Sequence, residues 1–292
     1  MEYWARIIVL IIDTHAHVFS SDERQFPPRE NPSRPPRGAG SFAGLLHEVE
    51  QHDISAVTLV QISGFYRFDN RYVCAAAREN PHWTAGICTL DPEDERSPGL
   101  LKTYAAESNI RGMRSIPASG KRLDHPGVRA LWKTAADLGL VINILGGYEL
   151  EAQIDTLLTD FPGLRVALDH SLGLAVGAPN DQTLATLGRL AKHRNLYNKI
   201  SFIANGPQGC PDNFPCTEFH ETVLKVIEMF GAERCAWGSH YPTVKYAPKL
   251  TYGQHLEIYR KHLPLSDDAH RWILGETARR LWFPEMDATA SA

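Results

Sequence analysis

The strongest constraint on the fold of this chain is a repeated alternation between short apolar runs and longer amphipathic stretches. Runs at 56–63 (AVTLVQIS), 83–90, 110–116, 140–145, 164–168, 196–203 and 235–238 have strand length and composition. Between and before them, segments 41–52, 69–80, 97–108, 125–138, 149–160, 181–193 and 217–230 carry helix-period apolar residues, with Ser41 as a candidate N-cap. The apolar run 7–12 supplies a first strand, and two further helical segments, 251–262 and 267–281, follow the last one. Strictly alternating strands and helices imply a parallel sheet, and eight such units imply a closed (β/α)8 TIM-type barrel. An open doubly wound sheet is the rival, but no glycine-rich turn follows the first run, so its nucleotide-binding form lacks support.

No shift of composition marks a second domain. The expectation is one barrel over residues 1–284, with a proline-rich ordered loop at 26–40 and a disordered tail at 285–292. A chain of 292 residues buries enough surface to need no disulfide or metal staple. Thirty-four acidic residues against thirty basic ones leave a net charge of −4, which argues against nucleic acid as a partner. Six apolar residues at 7–12 are far too few to span a membrane, and no signal-cleavage pattern follows them. Five cysteines, an odd and sparse set, fit a reducing compartment, so a soluble cytoplasmic protein is expected, with self-association left open. The spacing of Cys210 and Cys216 is wrong for CxxC chemistry. Their segment reads as a loop over the barrel mouth, holding free thiols or an occasional disulfide.

In such a barrel the chemistry gathers at the C-terminal ends of the strands. There the first strand offers Asp13, His15 and His17, the second Gln61 and Ser63, and the fourth Arg111 and Arg114. Asn143 and Tyr148 follow from the fifth, Asp169 and His170 from the sixth, Lys199 and Ser201 from the seventh, and Ser239, His240 and Tyr241 from the eighth. Residues two apart on a strand face the same side, so His15 and His17 can serve one substrate or ion. Arg111 and Arg114 are three apart, so only one enters the mouth, and Arg114 lies nearer the C-terminal end. Lys199 reads as a buried ion-pair partner of Asp169. Of the 13 histidines, four (His15, His17, His170, His240) converge on one site, and the other nine read as surface or capping residues. Phe65, Tyr66 and Phe68 read as packing before pocket.

Read in order, DTHAHVF, VQIS, RGMRSIP, LDH, NKIS and WGSHYP resemble the amidohydrolase 2 branch of the amidohydrolase superfamily. The nearest pattern is that of the 2-pyrone-4,6-dicarboxylate lactonases and related sugar lactonases, over roughly Ile11 to Pro242. That resemblance implies that His15, His17 and His170 surround a scissile carbonyl. It also implies that Ser63 and Arg114 hold substrate oxygens or a carboxylate, with Tyr148 a looser match and Gln61 beside them.

The chain departs from the resembled pattern at two places. Where the pattern has a strand-eight Asp, this chain has His240, and no Arg follows the NKIS motif. A neutral imidazole can still serve as general base. No His, carboxylate or Lys occupies strand five (VINI), which resembles the branch that works without a metal. The expected function is hydrolysis of a small lactone or carboxylic ester with His240 as base and no obligatory cofactor. Two alternatives stay open: a Zn²⁺-dependent decarboxylase or hydrolase with the four histidines as ligands, and a catalytically silent barrel that binds a small acid.

Overall fold

The structure, a computed structural model, describes residues 10–175, 179–201 and 214–286. Its eight strands are β1 (Ile12–Ala16), β2 (Ala56–Val60), β3 (Thr84–Thr89) and β4 (Ile110–Ser115), then β5 (Val141–Ile144), β6 (Val166–Leu168), β7 (Leu196–Ile200) and β8 (Cys235–Trp237). They pair in parallel in chain order from β1 to β8, with helices between, forming a nearly closed single-domain barrel. The fold read from the alternation is thus the fold observed.

Local chemistry accounts for the helices that pack around the strands. Ser41 caps Phe42–Gln51 by accepting the Gly44 N–H, and that helix buries Leu45 and Val49. His125 caps Pro126–Asp137 by accepting from Gly127, with proline at the first helical turn, where its missing N–H costs nothing. Thr251 and Gln254 form a reciprocal capping box at Tyr252–Glu257. The closing helix Thr277–Trp282 packs Leu281 and Trp282 with Ile12, Ala56, Ala85, Val141 and Ala167. Ile12, Ala56 and Val141 open their strands, so this cluster seals the end of the barrel opposite the histidines.

The β1–β8 seam is closed mostly by side chains. One bridge joins Ala16 to Tyr241, with the His17 N–H donating to the Tyr241 carbonyl at 2.9 Å. Thr14 Oγ1 donates to the Trp237 carbonyl at 2.7 Å. The Asp13 carboxylate accepts from Ser239 N (2.8 Å), Ser239 Oγ (2.6 Å), His15 N (3.0 Å) and the Tyr252 hydroxyl (3.0 Å). Gly238 permits this closeness, because a Cβ there would lie 2.9 Å from His15 Cβ.

Several expectations are corrected. The first strand begins at Ile12, where the apolar run ends, and carries Asp13 and His15 within it; residues 1–9 lie outside the described set. β2 stops at Val60, and Ser63 opens a short helix, Ser63–Tyr66, because its aromatic side chains bury there instead of continuing the strand. His255 is not a surface residue: it is 1% exposed and accepts from Trp237 Nε1 at 3.1 Å. Of the two states expected for Cys216, free thiol or disulfide, it has the disulfide; Cys210 lies outside the described residues, as do 287–292 of the expected tail. Among the described residues no helix is long and apolar enough to cross a membrane.

Candidate active site

The mouth of the barrel is organised around a carboxylate. Asp169, immediately after β6, is fully enclosed and receives Arg114 Nε at 2.9 Å on one oxygen. Its other oxygen faces Lys199 Nζ at 3.2 Å, Asn143 Nδ2 at 3.4 Å and His15 Nδ1 at 3.5 Å. Burial alone pushes this carboxyl up, but the charges of Lys199 and Arg114, with His15, hold it well below the usual carboxylate range. Lys199 is buried with its ammonium 5.0 Å from the Trp282 ring centre, and burial lowers it to about 8 against the pull of Asp169. Arg111, by contrast, points away and pairs with Glu285 at 3.2 Å, so Arg114 alone of the two enters the mouth.

Hydrogen bonds fix the tautomers of the first two histidines. His17 Nδ1–H donates to the Val60 carbonyl at 2.7 Å, which leaves its Nε2 lone pair free. Arg114 Nη2 donates to His15 Nε2 at 2.9 Å, so the His15 proton resides on Nδ1, towards Asp169. The two Nε2 atoms face each other at 3.3 Å. Burial, with His170 for one and Arg114 for the other, holds His15 and His17 well below the ordinary imidazole range, so both are neutral.

The other two histidines come from loops with unusual backbones. His170, Ser171 and Leu172 have φ of 53°, 48° and 57°, and His240 has 56°, a region that costs non-glycine residues energy. At His170 the left-handed turn brings Nδ1 to 2.8 Å from Ser201 Oγ. His240 lies in a stack of rings: Tyr246 covers one face at a centroid distance of 3.9 Å and 8° between planes, and His170 lies 4.1 Å away at 30°. His15 is 4.9 Å from His17, 4.3 Å from His170 and 5.0 Å from His240 between ring centres. Burial lowers His170 to about 3, and burial with the neighbouring imidazoles holds His240 well below its usual value.

The remaining candidates do not join this cluster. Gln61 is 3% exposed and spends its amide N–H groups on the Arg67 and Asp69 carbonyls, while its Oε1 has no partner among the described residues. Ser63 lines a separate cavity of about 480 Å³ beyond the ends of β2, β3 and β4, with Arg29, Arg67, Asp91 and Ser119, and none of the four histidines lines it. Tyr148 is 44% exposed on the 3-10 turn Tyr148–Leu150. The expected Lys199–Asp169 ion pair is present, and the sequence did not show that Arg114 and His15 also converge on Asp169. Tyr246, which no motif marks, escaped the reading of the sequence altogether.

A transition metal has a partial donor set here. Ligand atoms of His15, His17 and His240 lie within 4.8 Å of one another, and all three side chains are neutral donors. His170 is not in that group. The arrangement does not fit Zn²⁺ as it stands, however, because the His15 lone pair already accepts from the Arg114 guanidinium. A cation there would sit against a fixed positive charge, and among the described residues the donor group contains no carboxylate.

An amidohydrolase family profile matches residues 12–283, the whole of the barrel. The chain belongs to the amidohydrolase family. It is an enzyme of that superfamily, as the motifs from DTHAHVF to WGSHYP indicate. This amidohydrolase is 22% identical over 183 residues to an L-fucono-1,5-lactonase of Burkholderia ambifaria, an alignment spanning 61% of this chain and 62% of that protein's length. A Pseudomonas putida structure assigned as a 2-pyrone-4,6-dicarboxylic acid hydrolase superposes with a TM-score of 0.79 at 24% identity, over 96% of this chain and 99% of that one. A zinc-bound amidohydrolase from Burkholderia multivorans gives 0.73 at 17% identity, over 94% and 99%. At these identities the two structures establish the barrel.

Proposed function

We propose that this amidohydrolase hydrolyses a small lactone or related carboxylic ester, and that it does so without an obligatory metal. The carrying observation is the set of neutral imidazoles packed around the Arg114–Asp169 pair at the barrel mouth. The likeness to a lactonase and to a hydrolase of a cyclic ester supports the choice of substrate class.

In this reading His240 accepts a proton from water as the water oxygen attacks the acyl carbon. Charge developing on the carbonyl oxygen is met by the Arg114 guanidinium, which His15 and Asp169 hold in place. His17 and His170 line the same space and orient the ester. The tetrahedral species then expels the ring oxygen, the acyl C–O bond breaks, and the proton returns from His240 to the leaving alkoxide, giving a hydroxy acid. Burial keeps His240 neutral at ordinary pH, so its imidazole is unprotonated when water attacks, and the same burial makes it a weaker base than an exposed histidine. The test is a lactone panel followed by acid release with chelator-treated protein; no turnover of any γ- or δ-lactone sinks the reading.

A zinc-dependent reaction is the second reading, favoured by the 4.8 Å grouping of His15, His17 and His240 donor atoms. Metal analysis of protein purified without chelators separates the two, since one transition metal per chain favours the second.

A further inference from the structure

Tyr246 lies in the short helix Thr243–Tyr246, beyond β8, and neither the motifs nor the relatives assign it a role. Its ring stacks on His240 and lies 5.5 Å from the His17 ring centre. Its hydroxyl is shielded from solvent and makes no hydrogen bond among the described residues. A buried hydroxyl without a partner destabilises a fold, and native structures leave few of them. Nothing in the packing requires an oxygen there, because phenylalanine would stack on His240 equally well. With its ring against His240 and near His17, Tyr246 borders the reaction space, and Arg114 stands on β4 across the mouth from the β8 end that carries Tyr246. Raised by burial, the phenol keeps its proton and stays a donor throughout the working range.

We propose that the Tyr246 hydroxyl is a substrate-contacting hydrogen-bond donor, reserved for an oxygen of the bound lactone opposite Arg114, and that its ring fixes the His240 plane. This rests on the lactone-hydrolysis reading of the same site. Two donors from opposite walls, one charged and one neutral, would hold the two oxygens of a cyclic ester, with the neutral donor suited to the ring oxygen that leaves.

Tyr246→Phe keeps the stack and removes only the donor. The expected result is a kcat lower by roughly 10–100-fold with little change in KM, because the missing bond strengthens as charge develops. The same variant should melt about 2 °C higher or more, since an unpaired buried oxygen has gone. A kcat within threefold of the parent, or a lower melting temperature, overturns the proposal. If the parent turns over no lactone, the lactonase reading fails on its own, and titration with gluconate then decides for Tyr246. Binding of gluconate weakened at least tenfold in Tyr246→Phe supports the donor role. Equal binding, or none to either protein, overturns it.

Discussion

Arg114 donates to Nε2 of His15 across 2.9 Å, so the lone pair a metal would use is already committed. The same guanidinium bonds Asp169 at 2.9 Å and is only 4% exposed, so it is held from both sides. Arg114→Met should therefore do two things. Activity should fall by at least about 100-fold, as the charge facing the oxyanion is lost. Zinc content, measured by mass spectrometry on protein incubated with Zn²⁺ and desalted, should rise from well below one ion per chain towards one. Equal zinc in parent and variant would show that Arg114 does not exclude the metal. Stability should drop too, by roughly 3–5 kcal/mol, because Asp169 keeps only Lys199 as a full counter-charge.

Acid should destabilise this protein well before its carboxylates titrate. His170 and His255 are buried and lowered to about 3 and about 4. The unfolded chain binds protons at these histidines below pH 6.5 and the native chain does not, so stability falls as pH drops from 6.5 towards 4. Each contributes about 1 kcal/mol over the first pH unit below 6.5. His15, His17 and His240 are lowered in the same direction and add to the loss. Asp169, depressed, adds to the loss only at the acid end of this window, where the unfolded carboxyl begins to bind protons, whereas Asp13, raised by burial, works in the opposite sense. Urea unfolding at pH 7.5 and 5.5 measures the difference, and equal midpoints would refute the neutral-histidine assignment.

How far this site could be read in advance depended on which forces placed each residue. Strand order and burial alone bring His15, His17, His170 and His240 together, because a closed barrel forces the C-terminal ends of its strands into one ring. Burial of Arg114 inside and exposure of Arg111 outside follow from the two-residue period of β4. Other placements come from contacts between residues far apart in the chain. Arg114 reaches Asp169 across 55 positions, and the Asp13 side chain joins Ser239 across 226, distances over which periodicity carries no information. Gln61 turns to the Arg67 and Asp69 carbonyls, six and eight residues on, a loop geometry that strand periodicity does not encode. His255 was misread as exposed because its burial depends on Trp237 in the strand beneath it.

Asp13 is expected to be a structural linchpin of the β1–β8 seam. Asp13→Ala strands the Ser239 N–H, both the Ser239 and Tyr252 hydroxyls, and the His15 N–H without their acceptor. Losing a charged acceptor for several buried donors should cost roughly 3 kcal/mol or more. For a chain of this size that lowers the melting temperature by roughly 6 °C or more, read by calorimetry. A shift under 2 °C would mean that the seam is held by the Ala16–Tyr241 bridge instead.

His240 occupies the position where the resembled lactonases carry a carboxylate, and the Tyr246 and His170 rings flank it. If it is the base, His240→Ala should lower kcat by roughly 10²–10⁴-fold while leaving KM for the lactone nearly unchanged. His240→Asp then distinguishes adaptation from loss. A carboxylate at this point would feel the Arg114 charge that already acts on His240, which favours its ionised form and competes for the guanidinium, so the bond from Arg114 to His15 would weaken. The expected rate for His240→Asp is therefore below that of the parent, because this chain has tuned Arg114 to neutral imidazoles. Lactonase activity appearing in His240→Asp but absent from the parent would reverse the conclusion and identify the parent as a barrel that binds a small acid without turning it over.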